Sequence, residues 1–333
     1  MKKQFYIIPI LVLFILSSCQ KETSTIFTPN PTMGLNDTTW VNKPISSGKT
    51  DSMLYAFAYE SPFVYTDSFD CTLGDTLHIG GSIYATEIYL PPLVYATTGG
   101  APITSGNIKV EVLVLARKGD YIKTLIPTSV KNKVLESAKC FYIKLTNSQG
   151  QEVLLLPNTY YSVKWNDNQA NNSVKFFEGT ILTNPDSLIT WKYSSNGIVH
   201  PSYFPGSQTI VKGYEMFSNA THWNGCFNYI DTSAGTNRIN VSLPPNFTNK
   251  NTTAFAVFKN NYSVIRLAPD FGTRTFYAIN APNNCQITVV TLSLIDNVFY
   301  LGKADASISN ANVISVKPQQ KTAKDISAFL DGL

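Results

Sequence analysis

The sequence predicts an all-β protein of two tandem antiparallel β-sandwich domains, which follow a signal peptide and a tether and precede a short C-terminal helix. Short segments alternate apolar and polar residues with the period of two that half-buried strands show, as in Ile108–Ala116. Turn residues separate these segments. Charged residues make up 14% of the chain and hydrophobic residues 44%, so the surface is largely uncharged and polar, which suits extracellular β-sandwiches.

The N-terminus has the anatomy of a secretory signal. Two lysines precede an apolar run over residues 5–16, which is too short to span a bilayer stably. The sequence LSSC at 16–19 resembles the lipobox of bacterial lipoproteins, in which the preceding peptide is removed and the cysteine is acylated. The resemblance implies a signal peptide over 1–18 and lipidation of Cys19, where each buried methylene contributes about 0.8 kcal/mol of membrane attachment. An ordinary signal peptide with an incidental cysteine is the alternative.

The residues after Cys19 indicate where the anchored protein resides. The sequence QKET at 20–23 resembles the surface-export signal of Bacteroidota lipoproteins. We therefore expect an outer-membrane lipoprotein exposed at the cell surface, with the periplasmic face as the alternative, and the lipid bilayer as a partner through the acylated cysteine. Residues 19–50 are rich in Thr, Ser, Pro and Asn without periodicity, which predicts a tether.

The first predicted domain spans 51–185. Its clearest strand, Ile108–Ala116, is expected to form a hairpin with residues 121–126 through a turn at 117–120. A short helix is expected around residues 130–138.

A local motif in this domain resembles the turn that enters strand F of fibronectin type III domains. Residues 155–165 read L-x-P-x-T-x-Y-x-V-x-W. The resemblance implies an immunoglobulin-like or fibronectin type III-like sandwich, in which Tyr161 forms a tyrosine corner by bonding back to the backbone. It also implies that Val163 and Trp165 face the core.

A linker is expected over 186–204 and a second β-sandwich over 205–316. Alternating strands there are joined by tight turns at 259–261 and 296–297. A Trp-x-x-Cys motif at 223–226, with Leu-Pro at 243–244 and Val-Phe-Lys at 257–259, resembles an uncharacterised module of Bacteroidota lipoproteins, which bears on fold and location only. In the tail, 317–333, apolar residues at helical spacing predict a short docking helix.

Four cysteines remain after Cys19, and an even number in an exported chain favours disulfides. The domain boundaries make Cys71–Cys140 and Cys226–Cys285 the simplest pairing, and four buried free thiols are the alternative. No metal site is expected, because the cysteines lack ligand-like spacing and the chain has only 3 histidines.

The sequence offers no catalytic motif. None of the three histidines, His78, His200 and His222, belongs to a metalloprotease motif, and no serine lies in a nucleophile-elbow pattern. We therefore expect no catalytic residues, no cofactor and no enzymatic activity, with a hydrolase as a remote alternative, through His222 and Asp231 or a carboxylate pair. The net charge of +4 is spread along the chain, which disfavours nucleic-acid binding.

The resulting functional hypothesis is a membrane-anchored, non-catalytic lipoprotein of the cell envelope for adhesion, scaffolding or binding, with a glycan or a protein as its ligand. The rival hypothesis is a glycan-binding accessory lipoprotein of a nutrient-uptake system. In that case exposed aromatic side chains would stack on sugar rings, and Trp191 and Trp223 are the candidates. The alternative for both tryptophans is a place in the core.

Overall fold

The computed structural model describes residues 40–41, 64–80, 85–131, 133–181, 189–205, 209–309 and 313–333. Cys19, the signal peptide and the predicted tether except residues 40–41 lie outside these described residues. Within the described ranges, no helix combines the length and the apolar character that crossing a membrane requires.

Two helices and twenty-two strands make up the described part of the chain. The helices are α1 (Lys118–Lys123) and α2 (Ala323–Asp331). In chain order the strands are β1 (Val64–Asp70), β2 (Asp75–Ile79), β3 (Thr86–Leu90), β4 (Tyr95–Thr97), β5 (Asn107–Leu115), β6 (Ser129–Val130), β7 (Lys133–Asn147), β8 (Glu152–Leu155), β9 (Tyr161–Asn166), β10 (Lys175–Ile181), β11 (Ile189–Tyr193), β12 (Gly197–Pro205), β13 (Ile210–Ser218), β14 (His222–Tyr229), β15 (Thr236–Ser242), β16 (Thr252–Phe258), β17 (Val264–Asp270), β18 (Thr275–Pro282), β19 (Gln286–Ile295), β20 (Val298–Ser307), β21 (Val313–Ser315) and β22 (Gln319–Gln320).

These strands form three sheets. A nine-stranded sheet has the central order β1-β5-β7-β14-β10-β11, and β4, β6 and β8 pair beside this path. A five-stranded sheet has the order β12-β13-β9-β3-β2, and an eight-stranded sheet the order β21-β15-β18-β17-β16-β19-β20-β22. Described strand pairs are antiparallel except for β15 and β21, which run parallel. The predicted all-β antiparallel class is confirmed.

The sheets pack around three hydrophobic cores. The first core lies between the five-stranded sheet and one face of the nine-stranded sheet, where Val163 packs with Val112 and Phe141. The second core covers the other face of the nine-stranded sheet, and there Phe227 and Phe255 belong to one cluster. The third core lies within the eight-stranded sheet, which folds over so that β15 and β18 share apolar contacts with β16 and β19.

The sheet pairing departs from the predicted domain boundaries. Strand β11 and almost all of β12 occupy the predicted linker 186–204, and β12 to β14 complete the first two sheets. The register His222↔Ile143 places β14 beside β7, and Lys175↔Phe227 places it beside β10. The first pair of sheets therefore extends to residue 229, because these strands supply partners that the segment before residue 185 lacks.

Two local predictions were wrong. The expected turn at 117–120 is the start of α1, because the Asp120 carboxylate accepts hydrogen bonds from the backbone N–H of Arg117 at 2.8 Å and of Ala116 at 3.0 Å. The expected helix at 130–138 is instead the β6–β7 hairpin. The turns predicted at 259–261 and 296–297 do join strands.

The four cysteines are free thiols, so the predicted disulfides Cys71–Cys140 and Cys226–Cys285 are not formed. Cys71 and Cys226 lie in the first core, whereas Cys140 lies in the second core, on the opposite face of the nine-stranded sheet. Cys285 packs against the third core. Each predicted pair is therefore divided between two cores, and burial raises the pKa of all four thiols.

The predicted C-terminal helix is α2. Its N-terminus carries a capping box between Thr322 and Asp325, and Ile326 and Leu330 are buried in the second core. The tail is thus part of the packed structure.

Candidate functional site: the outer face of the five-stranded sheet

The five-stranded sheet has one face in the first core and one face turned outward. Inward side chains such as Ile88, Val163 and Met216 are fully buried. Because successive side chains in a strand point to opposite faces, the residues next to them form the opposite surface. We call this surface the outer face.

A row of five charged or titratable side chains crosses the outer face. Adjacent strands bring the residues together in the register His78↔Glu87, Glu87↔Lys164, Lys164↔Glu215 and Glu215↔His200. We call these residues the charge row. With strands about 4.8 Å apart, it spans roughly 19 Å.

The charge row alternates in sign. Lys164 Nζ lies 3.2 Å from Glu87 Oε1 and 3.8 Å from Glu215 Oε1. His78 Nδ1 lies 3.8 Å from Glu87 Oε2, and His200 Nε2 lies 3.8 Å from Glu215 Oε2. The two glutamates and one lysine leave a formal charge of −1 with neutral imidazoles, so the row carries little net charge.

An apolar row runs beside the charge row, two residues away along β3, β9, β13 and β12. It consists of Tyr89, Phe217 and Ile198, with Ser162 between the first two. Tyr89 and Phe217 are 44% and 37% exposed and Ile198 is 65% exposed, whereas Ser162 is buried beneath its neighbours. The Phe217 ring also stacks on His200, with 6.0 Å between ring centroids. The outer face thus joins aromatic surface to paired charges.

A cavity of about 500 Å³ lies at the end of the face, where β2, β3 and β9 meet the end of β12. Its polar lining includes His78, Glu87, Lys164 and Asn166, and Phe204 supplies an aromatic ring. The volume is within the range of about 300–1,000 Å³ typical of small-molecule sites.

A glycine beneath the aromatic wall of this cavity allows the wall to lie close to the sheet. A Cβ at Gly213 would lie 2.9 Å from Phe204 Cε2 and would overlap the carbonyl oxygen of Trp165. Glycine therefore lets the Phe204 ring approach the sheet closely, where Lys164 Nζ lies 6.0 Å from the ring centroid.

The tryptophans predicted to stack on glycans are core residues. Trp191 is 1% exposed and Trp223 is 8% exposed, and both belong to the second core. The Trp191 indole N–H donates to the Pro127 carbonyl oxygen at 2.8 Å. Both rings are thus covered by the eight-stranded sheet side of the molecule, so neither can serve as a stacking platform.

Tyr161 is buried, as the fibronectin-type motif implies, and Val163 and Trp165 face the first core with it. Its hydroxyl donates to the carbonyl oxygen of Ala220 at 2.8 Å, in the connection between β13 and β14. A tyrosine corner bonds to the backbone a few residues upstream, so Tyr161 makes a different contact. It ties β9 to the entry of β14 instead.

The third histidine, His222, pairs with a carboxylate on the nine-stranded sheet. His222 Nε2 lies 2.7 Å from Glu152 Oε1, and the imidazole stacks on Tyr142 with 5.6 Å between centroids. Asp231, the partner considered from the sequence, instead accepts hydrogen bonds from Ser233. This imidazole–carboxylate pair does not line the cavity.

No group of three or more metal-ligating side chains is present among the described residues. The carboxylates of Asp70 and Asp75 accept hydrogen bonds within their own turns, from Thr72 and Thr76. These local bonds hold the pKa of the Asp70 carboxyl below its ordinary value.

Searches of protein-family models, curated proteins and solved structures find no match to this chain. No relative therefore supplies a role for the outer face, and we infer it from geometry.

Sequence reasoning missed the outer face as a site. The signal was present in part, since His78, Lys164 and Glu215 sit at outward positions of alternating strands. Only the strand order and register bring them into one row, which runs from His78 to His200.

Proposed function

We propose that this protein is a non-catalytic binding lipoprotein of the bacterial cell envelope. In this proposal acylated Cys19 anchors the chain in the outer membrane, facing the medium, and the outer face of the five-stranded sheet engages an adhesion or binding ligand.

One observation carries the proposal: a charge row crosses all five strands, and exposed apolar side chains from β3, β13 and β12 lie beside it. A solvated sheet face is normally polar, and large apolar side chains exposed together mark interaction surfaces. Tyr89, Phe217 and Ile198 supply apolar contact, while the charge row supplies hydrogen-bonding groups that fix orientation.

The sheet edge is a weaker candidate than the sheet face. Strand β12 is an edge of the five-stranded sheet and contains Pro201 and Pro205. Proline has no N–H to donate, so these residues disfavour the addition of a further strand along this edge. Recognition through side chains of the outer face therefore fits the sequence better than strand addition does.

The anchor is tested by labelling cells with a clickable palmitate, with wild type beside Cys19→Ala. We expect label on the wild type, no label on the variant, and cleavage of the labelled band by protease added to intact cells. Label with protection from protease would place the protein on the periplasmic face. Equal label on the two proteins would overturn the anchor.

The binding face is tested by photocrosslinking on intact cells. A benzophenone amino acid replaces Tyr89 on the outer face or, as the matched control, Tyr193, which is exposed on the nine-stranded sheet. We expect covalent adducts at position 89 and none at position 193. No adduct at position 89, or equal adducts at both positions, would contradict the proposal.

A further inference from the structure

We infer that the cavity at the end of the charge row binds a neutral glycan, with a pyranose ring stacked on Phe204 and its hydroxyls bonded to Glu87, Lys164 and Asn166. This inference rests on the proposed function, because it names the ligand class of the same outer face. The inference follows from the balance of charge, the shape of the lining and the extent of the row.

The charged side chains at the cavity already have partners. Lys164 lies between Glu87 and Glu215, at 3.2 and 3.8 Å. An anionic ligand would have to compete with two carboxylates for one ammonium group and would then lie beside them. A cationic ligand would have to share the two carboxylates with Lys164. Either exchange gives up an ion pair that a neutral ligand leaves in place, at a modest cost because these side chains are 21–38% exposed.

A hydroxyl group avoids this conflict. It can donate a hydrogen bond to a carboxylate and accept one from an ammonium group at the same time. Glu87 and Lys164 therefore offer adjacent hydroxyls both kinds of partner without breaking the ion pair. Asn166, which also lines the cavity, adds an amide donor and acceptor.

The shape of the lining suits a sugar ring. Phe204 forms an aromatic wall. It can lie close to the sheet because Gly213 has no Cβ. A pyranose presents an apolar C–H face and a polar rim of hydroxyls, which matches an aromatic ring set beside a polar row. Lys164 lies between these two elements, 6.0 Å from the Phe204 centroid and 3.2 Å from Glu87.

The outer face also extends beyond the cavity. From His78 the charge row continues for roughly 19 Å to His200, where Phe217 stacks on the imidazole. A glycan chain leaving the cavity could therefore make a second aromatic contact at Phe217. We expect oligosaccharides to bind more tightly than the monosaccharide for this reason.

The test uses the mature chain with Cys19→Ser, which removes the lipid and keeps the protein soluble. The probe is a printed array of neutral hexasaccharides of glucose, xylose, mannose and galactose, beside uronic-acid and sulfated counterparts. Calorimetry then measures the affinity for the best neutral glycan in three variants: Phe204→Ala, Glu87→Gln and the control Tyr193→Ala.

We expect binding to neutral glycans, weakened about tenfold or more by Phe204→Ala and by Glu87→Gln and unchanged by Tyr193→Ala. If Phe204→Ala does not fold, Phe204→Leu keeps an apolar side chain over Gly213 while removing the aromatic face, and the same loss is expected. Preference for acidic glycans, neutral binding that neither variant weakens, or no glycan binding would overturn the inference.

The photocrosslinking experiment separates this inference from the proposed function. A protein adduct at position 89 together with no glycan binding would overturn the glycan and keep the binding face. No adduct at position 89 would remove the binding face itself. An adduct sensitive to periodate, which cleaves sugar diols, would support both.

Discussion

At the scale of single residues, the buried lysine of β7 is the most unusual group in the two sheets that enclose the first core. Lys139 is 7% exposed and has no hydrogen-bond or ion-pair partner among the described residues. Burial lowers the pKa of its amine from 10.5 to about 8, against an opposing effect of the nearby Cys226 thiol, whose own pKa burial raises. The folded state therefore disfavours the charged form of this amine.

The sign of the pH dependence follows directly. Between pH 8 and pH 10.5 the unfolded chain keeps a proton on Lys139 that the folded chain has released, so this residue makes stability rise with pH across that window. Below pH 8 the full cost is present, on the order of 3 kcal/mol for this shift.

We predict that Lys139→Met stabilises the protein at pH 7 and that its advantage over wild type shrinks toward pH 10. Urea unfolding at both pH values measures the difference, and Lys144→Met on the same strand is the control. The burial argument is wrong if the advantage of Lys139→Met is the same at pH 7 and pH 10.

Tyr161 allows a second measurement at this scale. Its hydroxyl bonds to the Ala220 carbonyl at 2.8 Å, and the buried ring belongs to the first core. We predict that Tyr161→Phe lowers the free energy of unfolding by about 1 kcal/mol, since the ring is kept and one hydrogen bond is lost. Tyr160→Phe, at the exposed neighbouring position, is the control, and equal effects of the two changes would contradict this assignment.

At the scale of elements, α1 and α2 form a contact that the C-terminal helix needs. Lys123 donates to Ser327 Oγ and to Asp331 Oδ1, both at 2.9 Å, and Arg117 Nη1 lies 3.0 Å from the same carboxylate oxygen. A Cβ at Gly119 would overlap the backbone carbonyl of Leu330. The close approach therefore depends on glycine.

We predict that Gly119→Ala destabilises the protein by about 1–3 kcal/mol and loosens α2, because the helix must move away from α1. Hydrogen exchange of the α2 amides reports the loosening. Gly99→Ala is the control, because a Cβ there would lie 3.8 Å from Thr97 Oγ1. Unchanged protection of α2 in Gly119→Ala would show that the contact is dispensable.

Sequence patterns identified the elements unevenly, and the reasons are physical. Exposed strands and tight turns such as 296–297 have local signals, because alternation and turn residues act within a few positions. Helix α1 was missed because its capping residues also suit a turn. The 130–138 segment was misassigned because β7 is largely buried on both faces, which removes the alternation that marks a strand.

The candidate site was less predictable than the fold. The aromatic residues singled out from the sequence, Trp191 and Trp223, are buried by a sheet that lies far along the chain. The outer face depends on strand order, and no pattern along the chain places His78 and His200 in one row.

At the scale of the whole molecule, the second core joins what the sequence presents as two tandem domains. It contains Trp191 and Phe227 from the nine-stranded sheet, Phe255 and Leu292 from the eight-stranded sheet, and Leu330 from α2. Strand β16 contributes to this core with one face and to the third core with the other. Separating the halves would expose large apolar side chains on both. Each Å² of apolar surface exposed to water would cost about 25 cal/mol.

This shared core predicts one cooperative unfolding transition. We expect intrinsic fluorescence and far-UV circular dichroism to give the same midpoint in urea, although the chain is long enough for two domains. Phe255→Ala, on the eight-stranded sheet side of the second core, should lower that single midpoint by an amount corresponding to about 3–5 kcal/mol. Phe276→Ala, which creates a cavity in the third core, serves as the comparison for a change confined to the eight-stranded sheet. Two separated transitions, with Phe255→Ala shifting one of them, would instead establish independent domains and would reduce the second core to an interface between them.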